Sequence, residues 1–445
     1  DGEGLCGCRV PVSVETVLGR VLAEDVYARS PHPPFRASIK DGYAVVSGDG
    51  PGVYPVVREV TAGGQRERDK GNGSTGFSLL SGQVAYITTG APVPDGADAV
   101  CPVEHTEMEE GGCVRFLPKG WPTPGADIRE VGSDVELGAL LVGRGQRIGP
   151  QELGLLCTCK GVSEEGVLVL PQPVVAVLST GDELVEYSEN DTALPRLGQI
   201  YDSNRPMLMA AITQAGARVL DCGICGDDPL ELKSQLDRAL NEADLVITSG
   251  GVSMGNKDLL KSEMEARGTI HFGRVRMKPG KPLTCCTVEV QGRRKMILGL
   301  PGNPISSFVC FHLVVAPAIR NLAGIAPAVL PRIRVKLMDS IRLDPERPEF
   351  HRAIVKANSE SRELEAFSTG RQASSRLLSA KSANALLALP QSSDTLQRGE
   401  MVWAMLIGDL SYGDPIHDDL VCRHSNRLKQ EEQSGDIKGN GSSLG

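Results

Sequence analysis

The sequence has little of what marks several large protein classes. Its 12 cysteines among 445 residues are too few for a disulfide scaffold, which favours a reducing compartment. A net charge of −9 argues against a duplex nucleic-acid binder, because such a protein needs an excess of clustered Lys and Arg. No apolar run predicts insertion into a membrane. The opening stretch DGEGLCGC does not resemble a secretory signal, so a cytoplasmic protein is expected.

Motifs for common nucleotide and redox chemistry are also missing. Neither GxGxxG nor GxxxxGK[ST] follows the first strand of the predicted parallel sheet, which argues against a nicotinamide enzyme and an ordinary ATPase. Cys222 and Cys225 form a CxxC pair, but RVLDCGICGDD is typical of a strand running into a turn. No second cysteine pair has the spacing of a zinc site. We expect this pair to be structural.

Residues 173–325 alternate strand and helix signals. PVVAVLST, RVLDCGI, ADLVITSGG and MILGLPG are predicted strands, since each is short, apolar and followed by a turn. RPMLMAAITQAGARV and PLELKSQLDRALNEA have helical spacing, and a further helix is predicted after Asn303. This alternation predicts a doubly wound parallel sheet covered by helices on both faces.

The rest of the chain differs from this segment in its sequence pattern. Its 51 glycines and 29 prolines indicate many turns and a β-rich component. The patterns SVETVLGRVLAEDV and GPQELGLLCTCKG predict helices in two flanking segments that are expected to form one domain. The predicted domains are a discontinuous helix-containing domain (1–45 and 146–172), a β-rich insertion (46–145), the α/β domain (173–325), a C-terminal β-barrel (326–410) and a disordered linker or tail (411–445).

Polar loops follow three of the predicted parallel strands. In an open parallel sheet the carboxyl ends of the strands meet at one edge, where ligands bind. Adjacent glycines allow a phosphate to approach the backbone, and carboxylates suit a hard cation. One such loop is equally typical of a tight turn, but three at one edge favour a ligand site. The loop residues are Ser179, Thr180, Gly181, Asp182, Glu183, Asp227, Asp228, Ser249, Gly250, Gly251, Ser253, Gly255 and Asp258.

Two further segments suggest an anion site. In MKPGKP, Lys278 and Lys281 flank a rigid turn, and two close lysines repel each other unless an anion lies between them. LPGNPISS predicts a helix capped by Asn303, with Ser306 in its first turn, and helix N-termini bind oxyanions. A well-capped core helix explains the second segment equally well, but it does not explain the lysines.

Hydroxyl and guanidinium groups recur near the C-terminus. PEFHRA contains Arg352, and STGRQASSRLLSAKSANAL contains Ser374, Ser375, Arg376, Ser379 and Lys381. Such groups suit a tetrahedral oxyanion, although a serine-rich loop is more often only a loop. By composition alone, ASIKDGYAV and TTGAPVPDGADAV are ordinary turns.

Nine ordered motifs, spread over about residues 10–410, give the chain a resemblance to a known family. The nine are ASIKDGYAV, TTGAPVPDGADAV, STGDEL, YDSNRPML, TSGGVSMGNKD, MKPGKP, LPGNPISS, PEFHR and the serine-rich loop. Together they resemble molybdopterin molybdenumtransferase, the molybdenum insertase, a family that includes the E-domain of gephyrin. DGYAVV, STGDELVE and LLSxxSANALL look nearest to the plant and green-algal branch.

The resemblance implies a reaction and roles for particular residues. Adenylylated molybdopterin and molybdate would give molybdenum cofactor and AMP, with a divalent cation, usually magnesium. The implied molybdate ligands are Lys281, Ser306, Arg352 and Ser379. The implied ligands of adenylylated molybdopterin are Ser179, Thr180, Gly181, Asp182, Ser249, Gly250, Gly251, Ser253, Gly255, Pro301, Gly302 and Asn303. Glu183, Asp228 and Asp258 would place the cation and an attacking water, and Lys278 would face the phosphates.

The resemblance also implies partners. The family is homodimeric, and Asp41, Thr89 and Asp134 match functional positions that would come from the partner subunit. In the plant branch an adenylylating G-domain follows the E-domain. One rival interpretation is a dimeric scaffold of the gephyrin type that binds partner peptides. A second is a pterin or nucleotide sensor that binds its ligand without turnover.

The sequence departs from the family pattern at several positions. Ala380 and Lys381 stand where Met-Arg is usual, His105 replaces an acidic residue and Arg36 a proline. The first of these departures lies beside Ser379. Among the molybdate ligands that the resemblance implies, Ser379 is therefore the one whose surroundings differ from the family pattern.

Overall fold

The computed structural model describes residues 7–63, 77–159, 166–187, 194–251 and 259–412. The chain divides into two compact units, residues 1–171 and 172–445. The finer division into five segments remains a prediction.

The first unit is mainly β-structure. Its strands are β1 (Cys8–Val10), β2 (Val26–Tyr27), β3 (Ala37–Ser38), β4 (Gly42–Val45), β5 (Val53–Val60), β6 (Val84–Ile87), β7 (Ala99–Pro102), β8 (Thr106–Glu109), β9 (Cys113–Phe116), β10 (Ile128–Arg129), β11 (Leu140–Val142) and β12 (Val167–Val169). Its helices are α1 (Val14–Val17) and α2 (Pro150–Thr158), with single 3₁₀ turns at Ser47–Asp49, Val103–His105 and Pro118–Gly120. A six-stranded sheet has the order β7-β4-β6-β5-β9-β8, and Ala44, Ala85 and Val100 belong to its core.

The ends of the first unit pair with each other. β1 lies antiparallel to β12, and β2 lies antiparallel to β11. Val17, Leu22, Ile148 and Leu156 form a common core between these segments. Apolar side chains from both flanks of the insertion are therefore buried together.

The helix predicted from SVETVLGRVLAEDV is much shorter than expected. Only Val14–Val17 is helical, because Gly19 adopts a φ of +78°, which does not continue a right-handed helix. Val21 and Leu22 then form bridges to Arg147 and Val169. The apolar spacing that resembled a helix comes from side chains buried by long-range pairing, which a local pattern does not register.

The second unit contains a six-stranded sheet followed by a barrel. The strands of its α/β part are β13 (Val174–Thr180), β14 (Leu184–Val185), β15 (Ile200–Tyr201), β16 (Arg218–Cys225), β17 (Leu245–Ser249), β18 (Gly268–Gly273), β19 (Thr284–Val290) and β20 (Arg293–Leu300). The helices are α3 (Asn204–Gln214), α4 (Pro229–Glu242), α5 (Leu259–Arg267), α6 (Pro304–Cys310) and α7 (Ala316–Leu322), with a π-helical turn at Phe311–Val315 between the last two.

This sheet is doubly wound, as the sequence predicts. Its order is β16-β13-β17-β20-β19-β18, and the first four strands are parallel. Val175 and Val177 pack against α3 and α7, whereas Ala176 and Leu178 pack against α4 and α5. The antiparallel strands β18 and β19, which the sequence analysis did not identify, extend one edge.

The C-terminal part is a closed barrel, again as predicted. Its strands are β21 (Arg332–Leu337), β22 (Ile341–Arg342), β23 (Glu349–Ala357), β24 (Leu364–Ser368), β25 (Ala385–Leu389), β26 (Thr395–Leu396), β27 (Met401–Leu406) and β28 (Ser411–Tyr412). β21, β27, β25, β23 and β24 close a five-stranded ring, because β24 pairs with both β21 and β23. β28 lies beside β23, so the start of the predicted tail is ordered, and residues 413–445 lie outside the described residues.

One helical segment is longer and more apolar than the sequence analysis allowed. Pro304–Leu322 has the length and mean hydropathy of a membrane-spanning helix. Half of the apolar stretch in this segment is buried. Its buried apolar residues belong to the cores of the second unit and include Ile305, Val309, Val315 and Ile319. Its apolar character is accounted for by packing inside the protein.

Candidate functional site

The four parallel strands of the second unit end at one edge of the sheet. They finish at Thr180, Cys225, Ser249 and Leu300, and the polar loops predicted from the sequence follow directly. From β13 the chain passes through α3 to β16, on one side of β13, and then through α4 to β17, on its other side. The winding direction therefore reverses between β13 and β17. Open α/β sheets bind ligands at such a reversal.

Two glycines bring the loop after β17 against the end of β13. Gly250 and Gly251 have φ values of +90° and +69°. A Cβ on Gly250 would lie 2.5 Å from the Thr180 carbonyl oxygen, and a Cβ on Gly251 would lie 2.9 Å from Thr180 Oγ1. Only glycine therefore fits both the backbone conformation and the available space.

Buried polar atoms without a partner are concentrated at the same edge. Among the described residues, Ser179 Oγ, Thr180 Oγ1, Asn204 Oδ1 and Thr248 Oγ1 are enclosed and have no hydrogen-bond partner. A buried polar group without a partner is costly, and native proteins contain few of them. Four at one strand edge indicate a place where a bound molecule completes the hydrogen bonding.

Acidic side chains line the outer part of this edge. Asp182 Oδ1 accepts a hydrogen bond from the Asp227 backbone N–H at 2.9 Å. Asp228 Oδ1 caps α4 by accepting from two backbone N–H groups at 2.8 and 2.9 Å. Glu183 is exposed on the loop after β13. Across the described residues, no three His, Cys, Asp or Glu side chains are grouped to hold a metal ion.

Three further predicted loop residues follow β17 in the sequence. Ser253, Gly255 and Asp258 lie outside the described residues. The structure therefore places two of the three predicted cation ligands, Glu183 and Asp228, at the same strand edge.

The loop after β20 leads into α6. Gly302 lies against the Gly250 backbone, and Asn303 is the N-cap, although its side chain makes no capping hydrogen bond. Ser306 and Ser307 are buried, and the Ser307 hydroxyl donates to the Pro301 carbonyl oxygen. The predicted helix start is present, but the capping bond expected of Asn303 is not.

A buried arginine lies in the barrel. Arg352 on β23 has no exposed surface, and its Nη2 donates to Ser379 Oγ at 3.1 Å. Its Nε and Nη1 have no partner. Burial lowers the pKa of Arg352 to about 10, and the carboxylate of Glu349 partly opposes this effect. At neutral pH the guanidinium is therefore charged, enclosed and only partly hydrogen-bonded.

The barrel loop that carries Ser379 contacts the first turn of α6. The backbone N–H of Ile305 donates to the Ser374 carbonyl oxygen at 3.1 Å, and Ala380 packs against the apolar cluster that contains Ile305. Ser306 is the next residue along α6. The structure thus places Ser306, Ser379 and Arg352 in one neighbourhood of the second unit.

The two lysines of MKPGKP have different surroundings. Lys278 Nζ lies 2.9 Å from Glu349 Oε2 and 3.3 Å from Asp344 Oδ2, whereas Lys281 is exposed. Burial acts to lower the pKa of Lys278, but the ion pairs with Glu349 and Asp344 raise it overall. The anion that the sequence analysis expected beside the lysines is, at Lys278, a pair of protein carboxylates.

Glu349 connects this lysine to a second chain of hydrogen bonds. Its Oε1 lies 3.1 Å from His351 Nδ1, and His351 Nε2 lies 2.7 Å from Ser368 Oγ. Ser368 begins the segment that leads to Ser379. Burial acts to raise the pKa of Glu349, but the bonds from His351 and Lys278 lower it overall.

We predict that Glu349→Gln destabilises the protein in a pH-dependent way. The lowered pKa means that the stabilisation is present above pH 4.5 and is lost as the pH falls through the folded-state pKa. Loss of a charged hydrogen bond should lower the free energy of unfolding by about 2 kcal/mol at pH 7, and by less near pH 3. Urea denaturation at the two pH values measures this difference. Exposed Glu346→Gln is the control, and an equal loss at both pH values would contradict the prediction.

The first unit holds the remaining predicted residues. Asp41 Oδ1 accepts from the Thr89 backbone N–H at 2.6 Å, so these two residues lie side by side. Asp134 is 3.3 Å from Arg129 Nη1 and is partly exposed. The structure brings Asp41 and Thr89 together within this unit.

Sequence reasoning missed several residues of the site. Asn204, Thr248, Glu349 and His351 carry polar groups at the two places described above. Asn204 and Glu349 stand within the quoted motifs YDSNRPML and PEFHR, where their positions beside a helix start and a buried arginine were the available signal. Their partners are distant in sequence, which concealed their roles.

The CxxC pair lies within β16, and both thiols are buried. Burial raises the pKa of Cys222. The pKa of Cys225 is raised to about 11, mainly by burial and to a smaller extent by nearby carboxylates. We therefore predict that brief treatment with iodoacetamide at pH 8 modifies exposed Cys8 and Cys157 at least about ten-fold faster than this pair. Mass spectrometry of the labelled peptides measures the rates. Comparable labelling of all four thiols would contradict a structural role for the pair.

The described sites correspond to regions of known families. Residues 6–159 match the MoeA N-terminal region (domain I and II), residues 176–321 match "Probable molybdopterin binding domain", and residues 334–407 match the MoeA C-terminal region (domain IV). The fold and its strand-edge site therefore define a protein of the MoeA class.

Individual relatives agree with this class. The chain is 40% identical to gephyrin of Dictyostelium discoideum over 90% of this chain and 60% of that protein. It is 35% identical to molybdopterin molybdenumtransferase 2 of Mycobacterium tuberculosis over 87% and 93% of the two chains. A crystal structure of a molybdopterin biosynthesis MoeA protein from Pyrococcus horikosii matches with a TM-score of 0.70 and 30% identity, covering 91% of this chain and 95% of that one.

The chain belongs to the molybdopterin molybdenumtransferase family. It spans less than two thirds of gephyrin and of cinnamon from Drosophila melanogaster, 60% and 57% of their lengths.

Proposed function

We propose that the chain transfers molybdenum from molybdate to adenylylated molybdopterin. The phosphoanhydride bond is hydrolysed, AMP leaves and molybdenum cofactor is formed. The observation that carries this proposal is the enclosed Arg352 guanidinium, whose Nε and Nη1 lack partners beside a buried serine. A peptide scaffold of the gephyrin type has no need of such a group, and the transferase is therefore favoured.

The proposed molybdate pocket is formed by Arg352, Ser379, Ser306 and Lys281. Molybdate is a tetrahedral dianion whose oxygens accept hydrogen bonds. A buried guanidinium with free N–H groups and hydroxyls beside it supplies matching donors in a water-poor setting, where charge-assisted bonds are strongest. Lys281 adds a positive charge from an exposed position, which suits the capture of an anion from solvent.

The strand edge of the sheet is the proposed seat of adenylylated molybdopterin. Gly250 and Gly251 keep side chains away from the backbone there. The buried hydroxyl groups at the ends of β13 and β17 that lack a partner would hydrogen-bond to the ligand. Lys278 would face the phosphates, and its existing partners, Glu349 and Asp344, fix the position of its ammonium group.

A divalent cation, usually magnesium in this family, is also proposed at the strand edge. The available donors are carboxylate oxygens, which hard cations prefer. Glu183 and Asp228 would hold the ion together with Asp258. Asp228 Oδ1 already accepts two backbone hydrogen bonds, which orients the carboxylate. When bound, such an ion neutralises the charge on a diphosphate.

The proposed working unit is a cytoplasmic homodimer. Asp41, Thr89 and Asp134 would then complete the site of the partner subunit, as the family resemblance implies. The adenylylated substrate would come from a G-domain adenylyltransferase, either fused to this chain or separate. The gephyrin relative, of which the chain matches 60%, supports a longer parent protein.

AMP release tests the proposed function. Purified chain is supplied with adenylylated molybdopterin, molybdate and magnesium, and both AMP and reconstituted cofactor are measured. Lys281→Ala should reduce the molybdate-dependent yield at subsaturating molybdate, while Lys233→Ala, which removes an exposed lysine of α4, should not. Absence of AMP release from the unmodified chain would overturn the proposal.

A further inference from the structure

Asn204 occupies a fixed position at the strand edge. It is the first residue of α3 and is 8% exposed. The backbone N–H groups of Asn204 and Arg205 both donate to Asp202 Oδ1 at 3.1 Å. The Asp202 carboxylate therefore satisfies two backbone N–H groups at the start of this helix, and the Asn204 side chain is not needed for that purpose.

The amide of Asn204 joins the end of β17 to the loop after β20. Its Nδ2 donates to Ser249 Oγ and to the Gly302 carbonyl oxygen, each at 2.7 Å. A carbonyl oxygen only accepts hydrogen bonds, so the amide nitrogen must be the atom that faces Gly302. Both N–H donors of the amide are thus used, and the orientation of the side chain is determined.

This orientation leaves Asn204 Oδ1 as an acceptor with no donor. The atom is enclosed and has no hydrogen-bond partner. Ser179 is the register neighbour of Ser249 on the adjacent parallel strand, and its enclosed Oγ also lacks a partner. Ser179 and Ser249 each follow by two residues an apolar residue, Val177 or Ile247, that packs on the α3 side of the sheet. Because side chains two residues apart on a strand share a face, both serines face the side where Asn204 lies.

The chemistry of Oδ1 limits what can satisfy it. An amide oxygen requires an N–H or O–H donor. Molybdate and ionised phosphates present mainly acceptor oxygens, so they would leave this atom without a partner. A pterin ring carries N–H donors beside ring nitrogen and carbonyl acceptors, which suits an acceptor next to a hydroxyl.

Building on the proposed function, we propose that Asn204 determines specificity for the pterin part of the substrate. Its Oδ1 accepts a hydrogen bond from a pterin N–H, and Ser179 Oγ bonds the adjoining edge of the ring. The match of residues 176–321 to a probable molybdopterin binding domain agrees with this location. The same side chain holds the loops after β17 and β20 together, so recognition and positioning are coupled.

Ligand competition on the full chain tests the proposal. Asn204→Ala should weaken binding of adenylylated molybdopterin about ten-fold, the expected effect of one lost hydrogen bond to a buried group. Binding of AMP and of inorganic pyrophosphate should change by less than about two-fold, because neither carries the pterin. Asn321→Ala, an exposed asparagine of α7, is the matched control and should leave all three affinities unchanged.

A second measurement compares two ligands on the same protein, so a general loss of affinity in a poorly folded variant cancels from the ratio. The unmodified chain should bind pterin about ten-fold more tightly than a ring-N-methylated pterin, and Asn204→Ala should abolish this preference. Equal weakening of every ligand would mean that Asn204 only joins the loops. Selective loss of AMP binding would assign the acceptor to the adenylate, and no loss at all would assign it to a buried water. Each of these three results overturns the proposal, while AMP release by the unmodified chain separately reports on the proposed function.

Discussion

Replacement of Arg352 by methionine is expected to abolish molybdate use while leaving the fold at least as stable. The guanidinium is enclosed and has one described side-chain hydrogen bond, to Ser379, and its Nε and Nη1 have none. Replacing a buried charge by an apolar side chain of similar size is often neutral or stabilising, by about 1–4 kcal/mol. Loss of one oxyanion donor typically lowers turnover about 100-fold or more.

The pKa of Arg352 gives the same sign for stability. Burial lowers this pKa to about 10, well below the ordinary value of a guanidinium, so the folded protein holds the charge less favourably than the unfolded chain does. The resulting penalty is present at pH 7 and is relieved only as the pH rises above about 10. Arg352→Met removes that penalty at neutral pH.

Two measurements on Arg352→Met check the expectation. Urea denaturation should give an unchanged or higher free energy of unfolding, and cofactor formation should lose its dependence on molybdate. Arg334→Met is the control, because Arg334 also lies on a barrel strand but stacks on exposed Trp403. A clear loss of stability with molybdate use retained would show that Arg352 is a structural residue.

Gly250→Ala is expected to have the largest effect on stability at the strand edge. At a φ of +90° any Cβ is strained, and this Cβ would lie 2.5 Å from the Thr180 carbonyl oxygen. The neighbouring atom belongs to the backbone of β13, which is hydrogen-bonded to a strand on each side and cannot move aside easily. Strain and overlap together should lower the free energy of unfolding by about 3 kcal/mol and displace the loop from the substrate.

Gly399→Ala separates the two causes. Gly399 has a similar φ of +96°, but nothing lies within 4 Å of its added Cβ. Only the conformational strain of about 1 kcal/mol should appear in this variant. Chemical denaturation of both proteins measures the difference. Equal destabilisation would mean that the overlap with Thr180 is relieved without energetic consequence.

Local patterns were sufficient for the α/β sheet. β13, β16, β17 and β20 end within a few residues of the predicted turns, because each contains a short apolar run and is followed directly by Gly or Pro. α4 begins at Pro229, the first residue of the predicted helical segment PLELKSQLDRALNEA. These features depend on residues that are adjacent in the chain.

Features that depend on distant partners were not predictable. The acidic partners of Lys278 lie about seventy residues further along the chain, at Asp344 and Glu349. The partners of Asn204 are Ser249, at the end of β17, and Gly302, in the loop after β20. The predicted helix near the N-terminus failed for the same reason, since its apolar side chains are buried by segments more than one hundred residues away.

The main-chain pairing of Lys278 with Glu349 has a consequence for how new metal preferences could arise. The Phe350 N–H donates to the Lys278 carbonyl oxygen at 2.8 Å, so the barrel strand with the buried arginine is fastened to the turn that leads into the sheet. Under the proposed function, the organic half of the substrate is held by the sheet and the inorganic half by the barrel. Substitutions inside the barrel would then change the selectivity between oxyanions such as molybdate and tungstate, while the affinity of the sheet for the pterin nucleotide stays the same.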